Sequence, residues 1–428
     1  MSLANSPATP GWTCPFCALL CDEFEVDLGP APRLRGSDCP RAQAGLDAHA
    51  RAGLPADALV DGVVAAHNDA LSAAASRLAT WQQPLFGGLG TDVAGARGLY
   101  RLAARTQAIC DHADGAALMH GVRALQDRGQ FYTTLGELRS RADLVVCVGT
   151  QAVPHYPEFF RRCALGEPGS PCGRLVFLGV PAPPVLPAVP DTLALPGSGD
   201  LFIDLQQLGA LVDGQRVRSP DPALAALAAQ LREARYAVLV WEAGRLPAQG
   251  ALLVEALNRI VATLNRTTRA ATFALGGSDG AYSVNQVFTW LSGLPLRTRI
   301  GAAGLEHEPL RFDAQRLLAA GAVDGLLWIA SFDPARVPPS TSLPRIVLGP
   351  PAMAGRLRAA DALGDCVFVP VATPGLQAAG HLFRCDDGIV VPLRPIAAKP
   401  ATDAASNGRL PGVDEVLRSL FERLGQRK

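Results

Sequence analysis

Short apolar runs of strand length alternate along the chain with longer stretches whose apolar residues recur at helical spacing. The clearest predicted strands lie at residues 83–89, 143–150, 174–180, 236–241, 270–275, 325–330, 344–348 and 365–371. Helical patterns lie at residues 93–107, 221–234, 249–264 and 312–320. Because strands that alternate with helices form parallel sheets with crossover helices, the pattern predicts an α/β fold.

Breaks in this pattern indicate how the chain divides into domains. A proline-rich stretch at 181–190 and a polar stretch at 213–221 precede a second strand–helix series. The polar stretch 397–410 is predicted to be a loop before a short C-terminal helix. The predicted domains are a cysteine-rich domain at 1–55, an αβα domain at 56–215, a second αβα domain at 216–372, and a segment at 373–428 that returns to the N-terminal domains.

Composition narrows the class of protein. The 428 residues include 39 basic and 39 acidic side chains, so the formal net charge is zero and nothing draws the chain to nucleic acid or to an anionic membrane. No apolar run reaches the length of a membrane span, and we expect a cytoplasmic protein. Only 18% of the residues are charged, which suggests that partner proteins cover part of the surface.

Four cysteines near the N-terminus form the strongest chemical motif. Cys14, Cys17 and Cys21 fall within eight residues, and Cys39 follows. Soft thiolates suit an iron–sulfur cluster or zinc, and the uneven spacing favours a [4Fe–4S] cluster over a zinc ribbon. Structural zinc and ordinary buried cysteines remain alternatives. The other cysteines are predicted to be mainly core residues: Cys110, Cys147, Cys163, Cys172, Cys366 and Cys385.

Two glycine-rich segments follow predicted strands, at 86–91 and 276–280. Neither has the Gly-Lys-Ser/Thr of a P-loop, and the first lacks the third glycine of a dinucleotide fingerprint. We interpret both as tight turns, with an anion site at 86–91 and a ligand loop at 276–280 as the alternatives. No Gly-x-Ser-x-Gly elbow or His-Glu-x-x-His helix occurs, so the sequence does not support a hydrolytic triad or a hydrolytic metal site.

A second motif, Met119-His120-Gly121, begins a helical stretch. A histidine in such a position is usually a cap or a satisfied surface group. Together with the cysteine array, however, the motifs resemble the B subunit of formylmethanofuran dehydrogenase. The resemblance rests on Cys-x-x-Cys-Ala-Leu-Leu-Cys-Asp, His-Gly…Ala-Leu-Gln, Thr-Leu-Gly-Glu…Arg-Ala-Asp-Leu-Val-Val, Gly-Thr-Gln-Ala, Asn-Gln-Val-Phe-Thr-Trp and Thr-Pro-Gly-Leu, and covers about residues 12–395.

That family belongs with the molybdopterin oxidoreductases. The resemblance implies a small N-terminal cysteine-rich domain and two αβα domains, with mainly parallel sheets, that cradle a tungsten- or molybdenum-pterin. Family members reduce carbon dioxide to formate inside a larger complex. In this scheme Cys14, Cys17, Cys21 and Cys39 would hold the cluster that passes electrons to the metal.

This chain differs from the family at the position of the metal-binding residue. The family's metal-binding cysteine stands immediately before the His-Gly pair, where this chain has Met119. A thioether has no proton to lose and offers no anionic donor to a high-valent metal. His120 is retained, but the family's arginine aligns with Ala302. We therefore expect no catalytic residue in this chain and no bound tungsto- or molybdopterin.

A related complex of methylotrophic bacteria fits this loss. The resemblance of this chain to that complex implies a formyltransferase/hydrolase complex. Such a complex converts formyl-tetrahydromethanopterin to formate via formylmethanofuran, without a redox step, in one-carbon metabolism. We predict a non-redox, structural B subunit that associates with the hydrolase A, formyltransferase D and C subunits. Two alternatives stay open: an active tungsten or molybdenum formylmethanofuran dehydrogenase, and a zinc-stabilised structural protein.

Overall fold

A computed structural model describes residues 9–27, 32–50, 57–386, 388–396 and 409–426. The chain forms two compact units, each described here by itself. Unit 1 comprises residues 1–115, 277–384 and 390–428, and unit 2 comprises residues 116–276 and 385–389.

The secondary structure follows the apolar pattern. The strands in the described residues are β1 (Thr9–Trp12), β2 (Phe24–Asp27), β3 (Arg33–Arg35), β4 (Ala58–Val60), β5 (Val63–Ala65), β6 (Pro84–Gly90), β7 (Ile109–Cys110), β8 (Leu144–Val148), β9 (Arg174–Leu178), β10 (Asp191–Leu195), β11 (Tyr236–Glu242), β12 (Arg269–Leu275), β13 (Thr298–Gly301), β14 (Gly304–His307), β15 (Gly325–Ala330), β16 (Arg345–Gly349), β17 (Cys366–Pro370), β18 (Gly380–Phe383) and β19 (Val390–Leu393). The α-helices there are α1 (Pro40–Ala50), α2 (His67–Thr80), α3 (Val93–Thr106), α4 (Gly115–Arg128), α5 (Leu135–Arg141), α6 (Phe159–Arg162), α7 (Leu201–Val212), α8 (Pro222–Glu233), α9 (Gly250–Leu264), α10 (Ala281–Ser292), α11 (Ala314–Ala319), α12 (Met353–Ala359) and α13 (Val413–Gly425).

Unit 1 is built on a nine-stranded sheet in the order β14-β13-β7-β6-β15-β16-β17-β4-β5. Its centre, from β7 to β17, is parallel, and antiparallel pairs flank it on both sides. Strands β6 and β15 approach closely because Gly88, at φ +72°, leaves room for Trp328; a Cβ there would lie 2.6 Å from the carbonyl oxygen of Ile329. Leu326, Val347 and Phe368 belong to the apolar cluster on one face of this sheet.

Smaller elements complete unit 1. Strands β1, β2 and β3 form an antiparallel sheet beside the cysteine array, and β18 pairs with β19. Helix α13 buries Val413, Val416, Leu417 and Leu420 and packs on α2 and α3. The end of the chain therefore lies against helices formed early in the sequence.

Unit 2 is built on a five-stranded, fully parallel sheet in the order β10-β9-β8-β11-β12. Strand β8 is buried along its whole length, and β11 is buried from Ala237 to Glu242. Helices α7, α8 and α9 contribute apolar residues such as Leu208, Leu227 and Leu257 to the core on one face of the sheet. This is the arrangement expected for parallel strands joined by crossover helices.

The α/β prediction with mainly parallel sheets is confirmed. The eight predicted strands correspond to β6, β8, β9, β11, β12, β15, β16 and β17, and the four predicted helices to α3, α8, α9 and α11. The antiparallel edge strands β4, β5, β13 and β14 were not predicted, because each has only three or four residues. Of the loop predicted at 397–410, residues 397–408 lie outside the described residues.

The units do not coincide with the predicted domains. The chain leaves unit 1 after residue 115 and returns to it at residue 277. Residue 215 lies inside unit 2, whose sheet joins β8 and β9 from before this position to β11 and β12 from after it. An apolar pattern locates strands but does not say which strands pair, so a polar stretch between two strands resembled a domain junction. In the described part of the chain, no helix is long and apolar enough to cross a bilayer.

Candidate functional site

The loop after β1 gathers the first three cysteines in unit 1. The backbone N–H of Cys14 donates to the carbonyl of Cys21 (2.9 Å), which closes the loop, and Leu20 N–H donates to the carbonyl of Cys17 (3.1 Å) inside it. Leu20 adopts a left-handed conformation with φ 43°. The turn therefore places Cys14 and Cys21 side by side, although they are seven positions apart in the sequence.

Cys39 approaches the same loop from helix α1, which begins at the next residue. Its N–H donates to Ser37 Oγ (3.0 Å), and its carbonyl accepts from Gln43 N–H (3.1 Å). All four cysteines are buried, with exposures between 3% and 7%. Burial raises the pKa of the Cys14 thiol well above its usual value, and the nearby Cys17, Cys21 and Cys39 raise it further. The structure thus brings the predicted ligand set together.

Three contacts from Trp12, Phe16 and Arg41 fix this cysteine loop. The Phe16 ring lies against α1 at Gly45, where a Cβ would come within 2.3 Å of the ring. Arg41 Nε donates to the Phe16 carbonyl (2.8 Å), and Trp12 Nε1 donates to the Gly375 carbonyl (2.8 Å). These contacts hold the loop against α1 and against the segment at Gly375.

The four thiols match a cluster or zinc in donor type. Neutral buried thiols lose their protons when a metal coordinates them, so the raised pKa does not oppose this chemistry. Within the described ranges, however, no three His, Cys, Asp or Glu side chains already stand as ligands around one ion. The cysteines are neighbours that still have to draw together to hold a metal.

Met119 and His120 lie in unit 2 on helix α4. Met119 is 3% exposed and forms part of the buried core, whereas His120 is partly exposed. The His120 ring lies against Gly250, where a Cβ would be 3.1 Å from the imidazole, and Gly121 lies against Trp241. Close packing on glycine shows why small residues stand at these positions. Ala302 is exposed in the turn between β13 and β14 of unit 1.

Charged residues that the sequence did not single out meet at the carboxyl ends of β6, β7 and β15. His112 Nδ1 accepts from Asp114 N–H (2.9 Å), so Nε2 carries the proton and donates to the Asp279 carbonyl (3.1 Å). Arg336 donates to Asp114 Oδ1 (2.8 Å) and lies 3.5 Å from Asp279 Oδ2. Burial lowers the pKa of His112 to about 4 and raises that of Asp279 to about 7. The carboxyl edge of a parallel sheet is where ligands bind in open α/β folds.

Unit 2 carries a smaller polar group at the corresponding edge of its own sheet. Glu242, at the end of β11, accepts from Thr150 Oγ1 (2.6 Å), and its other oxygen lies 2.6 Å from His155 Nδ1. Glu242 is buried, while His155 is half exposed. The Gly-Thr-Gln-Ala motif that contributed to the family resemblance places Thr150 in this group.

The remaining cysteines are all buried and form no disulfide, as predicted for core residues. In unit 2, burial raises the pKa of the Cys163 thiol, and its neighbours Cys385, Cys147 and Cys172 raise it further. The low thiolate content that results makes these thiols unreactive.

Fold and site together define an α/β protein with parallel sheets, a buried four-cysteine array and a methionine next to His120. The chain is 30% identical over 361 residues to the B subunit of the formyltransferase/hydrolase complex Fhc of Methylorubrum extorquens, a match covering 83% of this chain and 95% of that protein. The chain belongs to this family of formyltransferase/hydrolase complex B subunits.

More distant relatives and a solved structure agree with this assignment. The B subunit of tungsten-containing formylmethanofuran dehydrogenase 2 is 21% identical in Methanococcus maripaludis, over 76% of each chain, and 23% identical in Methanocaldococcus jannaschii, over 72% of each. A chain in the crystal structure of FhcABCD from Methylorubrum extorquens in complex with methylofuran is 28% identical, with a TM-score of 0.71 over 86% of this chain and 99% of that one. No family model matches the chain.

Proposed function

We propose that this chain is the non-redox B subunit of a formyltransferase/hydrolase complex, which supports assembly while its partners carry the chemistry. The complex converts formyl-tetrahydromethanopterin to formate via formylmethanofuran. The observation that carries the proposal is Met119: a buried thioether occupies the position where the dehydrogenase family places its metal-binding thiolate. A chain without that thiolate has no anionic ligand there for tungsten or molybdenum.

The relatives support the choice of complex. The protein that is 30% identical is named as part of the formyltransferase/hydrolase complex, and the matching solved chain belongs to the four-component assembly FhcABCD. The expected partners are therefore the hydrolase A, formyltransferase D and C subunits. The low charged fraction of 18% agrees with a surface that is partly covered in an assembly.

The cysteine array belongs to a small N-terminal domain of the molybdopterin-oxidoreductase type in this proposal. Cys14, Cys17, Cys21 and Cys39 would hold a [4Fe–4S] cluster, with zinc as the alternative. Soft donors, deep burial and convergence from β1 and α1 support a metal at this position. Its role here is to join the cysteine loop to α1, because metal binding at a site formed only on folding contributes to stability.

Anaerobic purification of the complex tests both the non-redox assignment and the proposed metal at the four cysteines. Iron, acid-labile sulfide, zinc, molybdenum and tungsten are measured together with the visible spectrum. We expect four iron atoms per chain, or one zinc, and no tungsten or molybdenum. A Cys39→Ser variant should lose the metal, whereas the matched control Cys366→Ser, buried in β17, should retain it. Stoichiometric tungsten or molybdenum with a bound pterin would favour the dehydrogenase and refute the non-redox assignment.

Co-purification tests the assembly. A tagged copy of this chain should recover the hydrolase A, formyltransferase D and C subunits, and the recovered complex should release formate from formyl-tetrahydromethanopterin without an electron acceptor. Recovery of the chain alone, or oxidation of the released formate to carbon dioxide with reduction of an added acceptor, would contradict the proposal.

A further inference from the structure

The carboxylate of Asp279 is the least satisfied charged group in the described part of unit 1. The side chain is 6% exposed, yet neither carboxylate oxygen has a hydrogen-bond partner among the described residues. Arg336 Nε is 3.5 Å from Oδ2, beyond hydrogen-bond geometry. Buried polar groups are paired in nearly all native structures, so an unpaired carboxylate points to a missing partner.

The Asp279 position is held firmly. Its backbone is left-handed, with φ 56°, and its carbonyl accepts the proton on His112 Nε2. The next residue, Gly280, has φ +75° and lies so close to Thr91 that a Cβ would be 2.3 Å from the Thr91 carbonyl oxygen. The backbone of this loop is therefore held against Thr91, directly after β6.

A cavity of about 190 Å³ lies next to this carboxylate. Arg41 and Arg336 line it together with Asp279, and Phe16, Ala48 and Phe332 contribute apolar walls. Since one water occupies about 30 Å³, the space holds a small organic molecule rather than a single solvent molecule. Two guanidinium groups and a buried carboxyl group line an otherwise largely apolar pocket.

We propose that this cavity binds a small monocarboxylic acid with an apolar body. Its carboxylate lies against Arg41 and Arg336 and accepts a hydrogen bond from protonated Asp279, while Phe16 and Phe332 contact the apolar body. The cavity borders the cysteine loop through Phe16 and Arg41 but is not lined by any of the four cysteines, and the inference does not depend on the proposed function.

The surrounding charges admit an anion when Asp279 is protonated. Arg336 and Arg41 face Asp279 from two sides; Asp114 neutralises part of the Arg336 charge, and Asp333 is exposed at the rim. His112, the remaining titratable neighbour, is neutral because burial lowers its pKa to about 4. With Asp279 protonated, the charges of Arg41 and Arg336 balance those of Asp114 and Asp333, and a monoanion beside the two guanidinium groups does not face an ionised Asp279.

Calorimetric titration of the purified full chain with benzoate tests the proposal, with benzamide as the neutral control of the same shape. We expect benzoate to bind at pH 6 and benzamide not to bind. Because the pKa of Asp279 is about 7, benzoate affinity should fall about tenfold between pH 6 and pH 8. Absence of binding at pH 6, equal binding of benzamide, or tighter binding at pH 8 would each overturn the proposal.

Two variants locate the site. Asp279→Asn keeps a permanent N–H donor, so benzoate should still bind but without pH dependence. Ala48→Leu fills the cavity from helix α1 without a change of charge, so it should abolish binding while the melting temperature stays within a few degrees of the parent. Asp69→Asn, at an exposed position on α2 away from the cavity, is the matched control and should keep the parent's pH dependence. Undiminished binding to a folded Ala48→Leu chain would place benzoate elsewhere and refute the assignment.

Discussion

Replacement of Arg297 by methionine should destabilise unit 1 by a pH-dependent amount. The Arg297 side chain is 4% exposed and lies between Asp111, 2% exposed, and Asp313. Its Nε donates to Asp111 Oδ1 (3.1 Å), and its NH2 group donates to Asp313 Oδ2 (2.5 Å). Methionine keeps much of the side-chain length but leaves the Asp111 carboxylate buried without a cation.

The size of the expected loss of stability follows from the burial of the Arg297–Asp111 ion pair. Removal of one partner from a buried ion pair costs about 3–5 kcal/mol, because the remaining charge is uncompensated. Burial already raises the pKa of Asp111 to about 6 despite the nearby Arg297, and loss of the guanidinium raises it further. Each further pKa unit costs about 1.4 kcal/mol at a pH above the new pKa.

The sign of the pH dependence is fixed by proton uptake. A folded pKa above the unfolded value means that the folded state binds the proton more tightly. Stability therefore falls as pH rises from the unfolded pKa of Asp111 through its folded pKa. The Arg297→Met chain should accordingly lose more stability at pH 8 than at pH 5, where Asp111 is protonated in both proteins.

Urea unfolding at the two pH values, followed by tryptophan fluorescence, measures this difference. Four of the five tryptophans report on unit 1: Trp12, Trp81, Trp290 and Trp328. Arg316→Met, at an exposed position on α11, is the control and should change stability by less than about 0.5 kcal/mol. Addition of Asp111→Asn to the variant should recover stability at pH 8. Equal losses at both pH values, or a loss below about 1 kcal/mol at pH 8, would refute the reasoning.

Three further substitutions test other parts of the structure. Gly45→Ala should displace the Phe16 ring and cost about 1–3 kcal/mol, with weaker metal retention, measured by thermal melting and iron and zinc analysis. Gly280→Ala combines a left-handed backbone with a contact to Thr91 and should cost more than about 2 kcal/mol, measured by urea unfolding. Met119→Cys should bind no tungsten or molybdenum by elemental analysis, because one thiolate does not rebuild a pterin site; stoichiometric metal would contradict this.

The parallel strands were predictable because burial on both faces produces an uninterrupted apolar run. Strand β15 coincides with the predicted 325–330, and β6 and β16 are shifted from their predictions by a single position. Strands β13 and β14 were missed since each has only four residues, and all of their side chains except Thr298 are exposed or partly exposed. The apolar pattern of the sequence also does not reveal which strands pair. Strands β7 and β13 are neighbours in the sheet although almost two hundred residues separate them.

Local spacing explains which part of the site could be predicted. The cysteine ligand set was visible because three members lie in one loop and the fourth directly precedes a helix. Asp279, Arg336 and His112 come from three distant segments, and no short motif connects them. The segment 276–280 was interpreted as a tight turn; it is one, and the same left-handed geometry holds Asp279 in the buried position. A turn and a ligand loop were therefore not exclusive alternatives.

Buried thiols in a chain that has lost the family's metal-binding cysteine have a structural explanation. Two hydrogen bonds tie the cysteine loop to distant parts of unit 1: Trp12 to Gly375, 363 positions away, and Ala18 to Ser278, 260 positions away. Such contacts close very long loops, and loop closure costs conformational entropy. Additional order within the cysteine loop would offset part of this cost. The metal proposed between the loop and Cys39 would supply that order, since its binding free energy would add to the free energy of folding. If it does, metal removal should lower the melting temperature of the complex without an electron acceptor being involved.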